Sequence, residues 1–306
     1  MEKITIIGTG TMGHSIALAI AWADLPVTVY GLDDVEIENA IKGIESKANV
    51  LNENNVIDEG QVEKVIDRIR FTTDLEGAAT DATFIIEAAP EILELKQDLF
   101  KKLEECCATD TIFASNSSSL LPTDMAKNLR HPERVLGTHF WNPAHLLPLV
   151  EIIKGEKTES AFIDRARELM VRIDKQPILV NKEVVGFVGN RLQFALFREA
   201  QYLYESGVAS IEDIDTAVEL SIGRRLGITG PFMTADLGGL DIFKAISDYT
   251  FPDMSNKKDA FDSINQLVEA GNLGEKSGKG YYEWNKSFSK EMKQEREEEL
   301  ICWLKK

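Results

Sequence analysis

The sequence predicts an α/β fold, a doubly wound and mostly parallel sheet followed by an all-α C-terminal domain. Three observations predict it. An uncharged β-branched run, Ile4-Thr5-Ile6-Ile7, leads straight into a glycine-rich turn and then an Ala/Ile/Leu-rich helix. Further short apolar runs recur through the first half, with helical stretches between them. Strands covered by helices on both faces read as such continuous apolar runs. After Gly186 the strand pattern gives way to helical periodicity alone.

At 306 residues the chain is long enough for two domains. A linker near Lys182-Glu183 divides residues 1–183, the sheet domain, from residues 184–306, the helical one. The 43% apolar and 28% charged shares are those of a globular protein with a real core. With 51 acidic against 34 basic residues the formal charge is −17, which repels nucleic acid and anionic membranes. Neither is an expected partner; a small molecule is, and an anionic one needs a local basic patch. The apolar runs are too short to span a bilayer, and no signal peptide precedes the first strand. Cys106, Cys107 and Cys302 form neither a disulfide framework nor a metal-ligand pattern. A cytoplasmic, metal-free protein is expected.

The first strand runs into Gly8-Thr9-Gly10-Thr11-Met12-Gly13, and a helix is expected over His14 to Ala23. Pro26 opens a second strand, Val27-Thr28-Val29-Tyr30. Strand, G-x-G-x-x-G turn, helix and second strand together make the Rossmann dinucleotide fingerprint, which is far more specific than the glycines alone. Gly8 permits the tight turn, Gly10 lets the backbone approach a pyrophosphate, and Gly13 lets helix and strand pack closely. Thr11 and Met12 lie inside the same turn, where free N–H groups face the diphosphate. Gly31 stands directly after the second strand, where an aspartate most often takes the adenosine ribose. Asp33 follows within range and is the candidate for that contact, although Asp33 and Asp34 also read as caps of the next helix. No nearby arginine awaits a 2′-phosphate, and two aspartates repel one. The expected cofactor is NAD.

From Asp34 to Asp67 the pattern is helical and polar, broken at Asn52-Glu53-Asn54-Asn55. Ala82 to Ala89 reads as a strand ending at Pro90-Glu91, and Leu93 to Leu103 as a helix carrying Lys96. Thr111 to Ala114 is a further strand, closing in Ser115-Asn116-Ser117-Ser118-Ser119. Open α/β sheets place cofactor and substrate contacts at such carboxyl ends, and Asn116 is a cofactor candidate there. Ser119 reads instead as a cap for the helix expected at Pro122.

The segment from Gly137 to Glu151 carries the candidate proton chemistry. His139 closes one apolar run, Asn142-Pro143 reads as a turn, and Glu151 lies inside a second run, Leu146 to Ile153. Two strands joined by that turn bring the imidazole and the carboxylate side by side. A buried carboxylate fixes one imidazole tautomer and stabilises the protonated ring, giving a base usable near neutral pH. The alternative is a turn histidine and a strand glutamate with unrelated partners. Beyond Gly186, helices are expected over Val188 to Ser206, Ile211 to Ile222, Leu240 to Asp248 and Ala260 to Ala270. Phe288 to Leu304 reads as a surface helix or a docking tail.

Taken in order, GTGTMG, IIEAAPE, SNSSSL, GTHFWNP, PLVEII, GFVGNRL, GPF with ADLGGLD, and GEKSGKGYYEW span nearly the whole chain. In that order and spacing it resembles the L-3-hydroxyacyl-CoA dehydrogenase family. The resemblance implies that His139 is the catalytic base, Glu151 the carboxylate that orients it, and Ser118 and Asn190 the residues that hold the reacting oxygen. It implies that Asn142 belongs to the substrate-binding turn, that Glu91 and Lys96 lie near the nicotinamide ribose, and that the helical domain closes the site and forms a homodimer.

Three departures divide the expected substrate. HLLPLVE is similar to relatives that oxidise free hydroxy acids, whereas HFWNP sits closer to the acyl-CoA type. The stretch Leu51 to Gly60 lacks the lysines that many family members present to CoA phosphates. Arg224-Arg225 precedes Gly230-Pro231, as in relatives that oxidise free hydroxy acids, namely gulonate 3-dehydrogenase (lambda-crystallin) and carnitine dehydrogenase. Arg225 either clamps a substrate carboxylate or is a cation favoured at a helix C-terminus. The leading expectation is NAD-dependent oxidation of a short L-3-hydroxyacyl-CoA such as 3-hydroxybutyryl-CoA; the alternative is oxidation of a free 3-hydroxy acid. A nucleotide binder without catalysis is the third, and it expects the histidine or the glutamate to be missing.

Overall fold

The structure, a computed structural model, describes residues 2–305. It divides into two compact units, Met1–Arg191 together with Arg296–Lys306, and Leu192–Glu295. The first unit opens with β1 (Ile4–Ile7), α1 (Thr11–Trp22) and β2 (Val27–Tyr30). Two helices follow, α2 (Asp34–Glu53) and α3 (Glu59–Asp67), separated where the asparagines interrupt the periodicity. Next come β3 (Ile69–Thr72), α4 (Leu75–Ala79), β4 (Phe84–Glu87), α5 (Leu93–Cys106), β5 (Ile112–Ser115) and the short α6 (Pro122–Met125). The hairpin β6 (Val135–Phe140) and β7 (Leu149–Lys154), then α7 (Ser160–Arg172) and β8 (Gln176–Val180), complete the sheet.

The strands lie in the order β3-β2-β1-β4-β5-β6-β7-β8. All neighbours are parallel except β6 and β7. Side chains alternate across the pleat. Ile6, Ile86, Ala114 and Leu136 therefore enter the core beneath α1, α2 and α7. Ile7, Ile85, Phe113 and Val135 enter the core beneath α4, α5 and α6. Strands β1, β4, β5 and β6 are buried throughout, as their apolar runs require.

Two strands are not apparent from the sequence, and both are at edges of the sheet. β3 carries exposed Arg70, and β8 begins Gln-Pro and is largely exposed. An edge strand buries too little to need an apolar run, and proline is tolerated there. The first unit also extends past the expected linker, to Arg191, because amides at 188 and 189 bond into the sheet at Glu151.

The helical unit begins within α8 (Gly189–Glu205) and continues with α9 (Ile211–Ala217) and α10 (Gly223–Leu226), separated by a π-helical turn at Val218–Ile222. Then follow α11 (Pro231–Gly238), α12 (Leu240–Thr250), α13 (Asp262–Glu269) and α14 (Lys286–Leu304). The end of α14 docks, as the tail reading expects, while most of the helix stays exposed. Ile301 is buried in the core of the first unit with Leu300 packed beside it, and Lys305 Nζ donates to the Asn54 carbonyl at 2.6 Å. Among the described residues no helix is long and apolar enough to cross a membrane.

Candidate active site

The β6–β7 register pairs His139 directly with Glu151, so both side chains leave the same face of the sheet. His139 Nδ1 and Glu151 Oε2 are 2.7 Å apart. The other carboxylate oxygen, Oε1, accepts from the amides of Val188 at 2.9 Å and Gly189 at 3.0 Å. Those amides stand at the start of α8, where N–H groups have no partner within the helix and the dipole favours an anion. Burial on its own would raise the Glu151 pKa. The bonds from His139, Gly189 and Val188 outweigh it and hold the carboxyl below its usual range.

A carboxylate only accepts, so His139 Nδ1 carries hydrogen and Nε2 presents its lone pair. The ring is buried between Trp141 and Phe187, with centroids at 5.4 and 5.7 Å. Gly186 and Phe187 both have positive φ, 78° and 49°, and this bend precedes the Val188 and Gly189 amides. Holding a bulky aromatic in the left-handed region costs energy that the buried Phe187 side chain helps offset. A Cβ at Gly189 would come within 2.2 Å of Trp141, so glycine is what lets the indole approach α8. The remaining histidines are engaged elsewhere. His14 and His145 bond Thr9, Lys47 and Ser15. Burial first, then Lys47, Lys175 and His14, push His145 down to about 3, so it stays neutral. His131 faces Glu133.

The serine run after β5 is sorted by its partners. Ser115 Oγ donates to Glu87 and Ser117 Oγ to Glu91, each at 2.5 Å. Ser119 is not the cap of α6, a correction to the sequence-based expectation: its hydroxyl donates to Glu91 at 3.0 Å and Leu121 stands at the cap. Glu91 Oε1 collects four donors from this run, the hydroxyls of Ser117 and Ser119 and the amides of Ser118 and Ser119. Ser118 is exposed; its amide bonds Glu91 and its carbonyl accepts from Asn190 Nδ2 at 3.3 Å. The Ser118 hydroxyl has no protein partner among the described residues. Asn116 Oδ1 accepts from the Phe140 amide at 2.9 Å, tying the β5 loop to the residue after His139. Asn142 is exposed in the turn between β6 and β7.

Glu91 is held below the usual carboxylate range: burial would raise it, but Ser117, Lys96 and Ser119 outweigh burial. Lys96 lies 3.5 Å from Glu91 but is fully buried against Glu87 at 2.5 Å. Glu87 is not apparent as a site residue in the sequence, although a charge inside the apolar strand β4 was the available signal.

A cavity of about 830 Å³ lies over the glycine turn, lined by Gly8, Thr9, Gly10, Thr11 and Met12 at its floor. Leu75, Leu95 and Leu99 form an apolar wall suited to a purine. A Cβ on Gly8 would strike the Ala88 carbonyl at 2.7 Å, and one on Gly13 the Gly8 carbonyl at 2.0 Å. Gly10 instead faces open space, and it begins α1 without any side-chain cap, leaving the first amides free. An open backbone anion site beside an apolar slot fits a dinucleotide. Asp33 does not line the cavity; its carboxylate caps α2, accepting from the Glu36 amide at 2.8 Å. Glu36 does line it. Arg225 lies on α10 in the helical unit, exposed. Among the described residues no cluster of His, Cys, Asp or Glu could hold a metal ion.

Known proteins match over nearly the whole chain. Residues 3–184 match the 3-hydroxyacyl-CoA dehydrogenase NAD-binding domain and residues 186–284 its C-terminal domain. A 5-formyl-3-hydroxy-2-methylpyridine 4-carboxylate 5-dehydrogenase of Mesorhizobium japonicum is 34% identical over 302 residues, 99% of this chain and 97% of the relative. A crystal structure of a 5-dehydrogenase of that pyridine acid, described as an NAD+-dependent dismutase, superposes with a TM-score of 0.91 at 34% identity, covering 99% of this chain and 97% of that one. The (S)-3-hydroxybutyryl-CoA dehydrogenase of Ralstonia eutropha superposes with a TM-score of 0.78 at 30% identity, covering 94% and 100%.

Proposed function

The chain belongs to the 3-hydroxyacyl-CoA dehydrogenase family of NAD-dependent oxidoreductases, and from that premise we propose that it acts on a small free hydroxy acid rather than an acyl-CoA. The observation that carries the choice is the end-to-end likeness to the pyridine-carboxylate dehydrogenase, closer in fold than the hydroxybutyryl-CoA enzyme. The surface argues the same way. Residues 51–60 carry no lysine, and Lys47 on α2 is engaged by His14 Nε2 at 2.9 Å. That leaves Lys42 as the exposed lysine of α2 for CoA phosphates. Arg225 supplies a guanidinium for a substrate carboxylate.

NAD, when bound, supplies the hydride acceptor. His139 Nε2 takes the hydroxyl proton, and Glu151, already tied to two amides, stabilises the imidazolium without moving. The Ser118 hydroxyl and the Asn190 amide hold the substrate oxygen, and Asn142 the rest of the substrate. The test is NADH oxidation with acetoacetyl-CoA beside NAD reduction with a panel of free hydroxy acids. Turnover of the free acids alone is expected. Turnover of acetoacetyl-CoA alone would return the assignment to the acyl-CoA reading, which the HFWNP motif favours.

The working form in this proposal is a homodimer built on the helical unit. Phe232 is 88% and Tyr249 89% exposed, beside exposed Leu237, Leu240 and Ile246. Faces this apolar suit burial against a second copy.

A further inference from the structure

We propose that Glu36, in the first turn of α2, is the carboxylate that receives the adenosine ribose hydroxyls and sets the preference for NAD over NADP; this rests on NAD being the cofactor. The position at the end of β2 holds no carboxylate, because Gly31 stands there. Nor does it have room for one. A Cβ at Gly31 would come within 2.9 Å of Thr9 Cγ2 and 3.0 Å of Ile37 Cγ1. The next acid, Asp33, is occupied as the cap of α2 and lies outside the cavity.

Glu36 shares the cavity wall with the glycine turn, Tyr30 and Leu32. Its Oε2 accepts from the Thr9 hydroxyl and the Leu32 amide, each at 3.1 Å. Those two bonds orient the carboxylate, and Oε1 has no protein partner among the described residues. Positions 9, 31 and 36 therefore act together. The Thr9 side chain fills the space of the missing strand-end aspartate and hands its hydroxyl to the acid that replaces it. A fixed anion with one free oxygen matches two ribose hydroxyls, which are donors, and repels a 2′-phosphate. Lys102 of α5 also lines the cavity, and with Glu36 neutralised it is the cation left to attract such a phosphate.

Direct titration of NADH and NADPH, followed by nucleotide fluorescence, tests this in the full-length protein. Glu36→Gln keeps an acceptor for Thr9 and Leu32 while removing the charge. NADH affinity is expected to fall on the order of tenfold, the scale of one charge-assisted hydrogen bond, while NADPH affinity does not fall with it. The preference ratio therefore narrows. Asp33→Asn, which keeps a competent cap, should leave that ratio unchanged. Equal loss for both nucleotides, or no loss for either, overturns the proposal, and narrowing in Asp33→Asn transfers the role to Asp33. Failure of the NAD assignment itself looks different: the unaltered protein would bind neither nucleotide.

Discussion

The two units of this molecule solve the burial problem differently. In the sheet unit two continuous apolar cores close over both faces of the strands, and even charged groups such as Glu87, Lys96, Arg134 and Glu151 are sealed in with partners. In Leu192–Glu295 the buried apolar side chains among the described residues are Ile214 and Phe261, while large side chains stand out along α11 and α12. A sheet covered by its own helices completes its core within one chain. Helices with apolar faces on several sides need a further surface, and this is the physical basis of the homodimer proposal. The dyad belongs wholly to the closed unit.

The largest expected effect sharpens that point. His139→Gln should lower kcat by about a thousandfold, within the usual range for a lost general base, and leave NADH binding unchanged in a fluorescence titration. Weakened nucleotide binding of similar size would mean that the histidine serves the fold of the closed unit instead.

The second effect concerns a buried cation of the same unit. Lys175 Nζ donates to the carbonyls of Ala144 and Leu147, bracing the turn that carries Asn142, and burial depresses it to about 8 from its ordinary 10.5. Below pH 8 it holds its proton in both folded and unfolded chains. Between 8 and 10.5 the unfolded chain alone holds it, so this group's contribution to stability rises with pH across that window. Relative to Lys175→Met, the protein should gain about 3 kcal/mol from one end to the other, read by urea denaturation at several pH values. A flat difference would show that the lysine is hydrated and the closed unit less sealed than described.

The smallest effect addresses the open unit. In a monomer, Phe232→Ser and Tyr249→Ser would alter stability by less than about 0.5 kcal/mol, since both side chains are exposed. In a homodimer each should cost about 2 kcal/mol and shift sedimentation toward the monomer mass. Unchanged stability and a monomeric mass in the unaltered protein would remove the dimer.

Much of the closed unit was legible in the residues. The glycine turn between two strands, the helix break at Asn52 to Asn55, and the His139/Glu151 spacing each have local causes. Edge strands β3 and β8 were not legible, because an edge needs no apolar run. A docking tail was legible at the end of α14 as one of two readings; the surface it docks on was not, because that depends on Ile301 meeting a core formed by distant residues.

The sequence by itself determined the Rossmann order of strand, glycine turn and helix, and the twelve-residue separation that a hairpin turns into a histidine–carboxylate pair. Those are consequences of local periodicity and turn chemistry. Only the tertiary structure decided which acid faces the dinucleotide cavity, which serine keeps a free hydroxyl, and that two amides from α8 complete Glu151. These depend on distances between residues far apart in the chain, where a difference of a few ångströms in packing selects one chemically equivalent side chain over its neighbour.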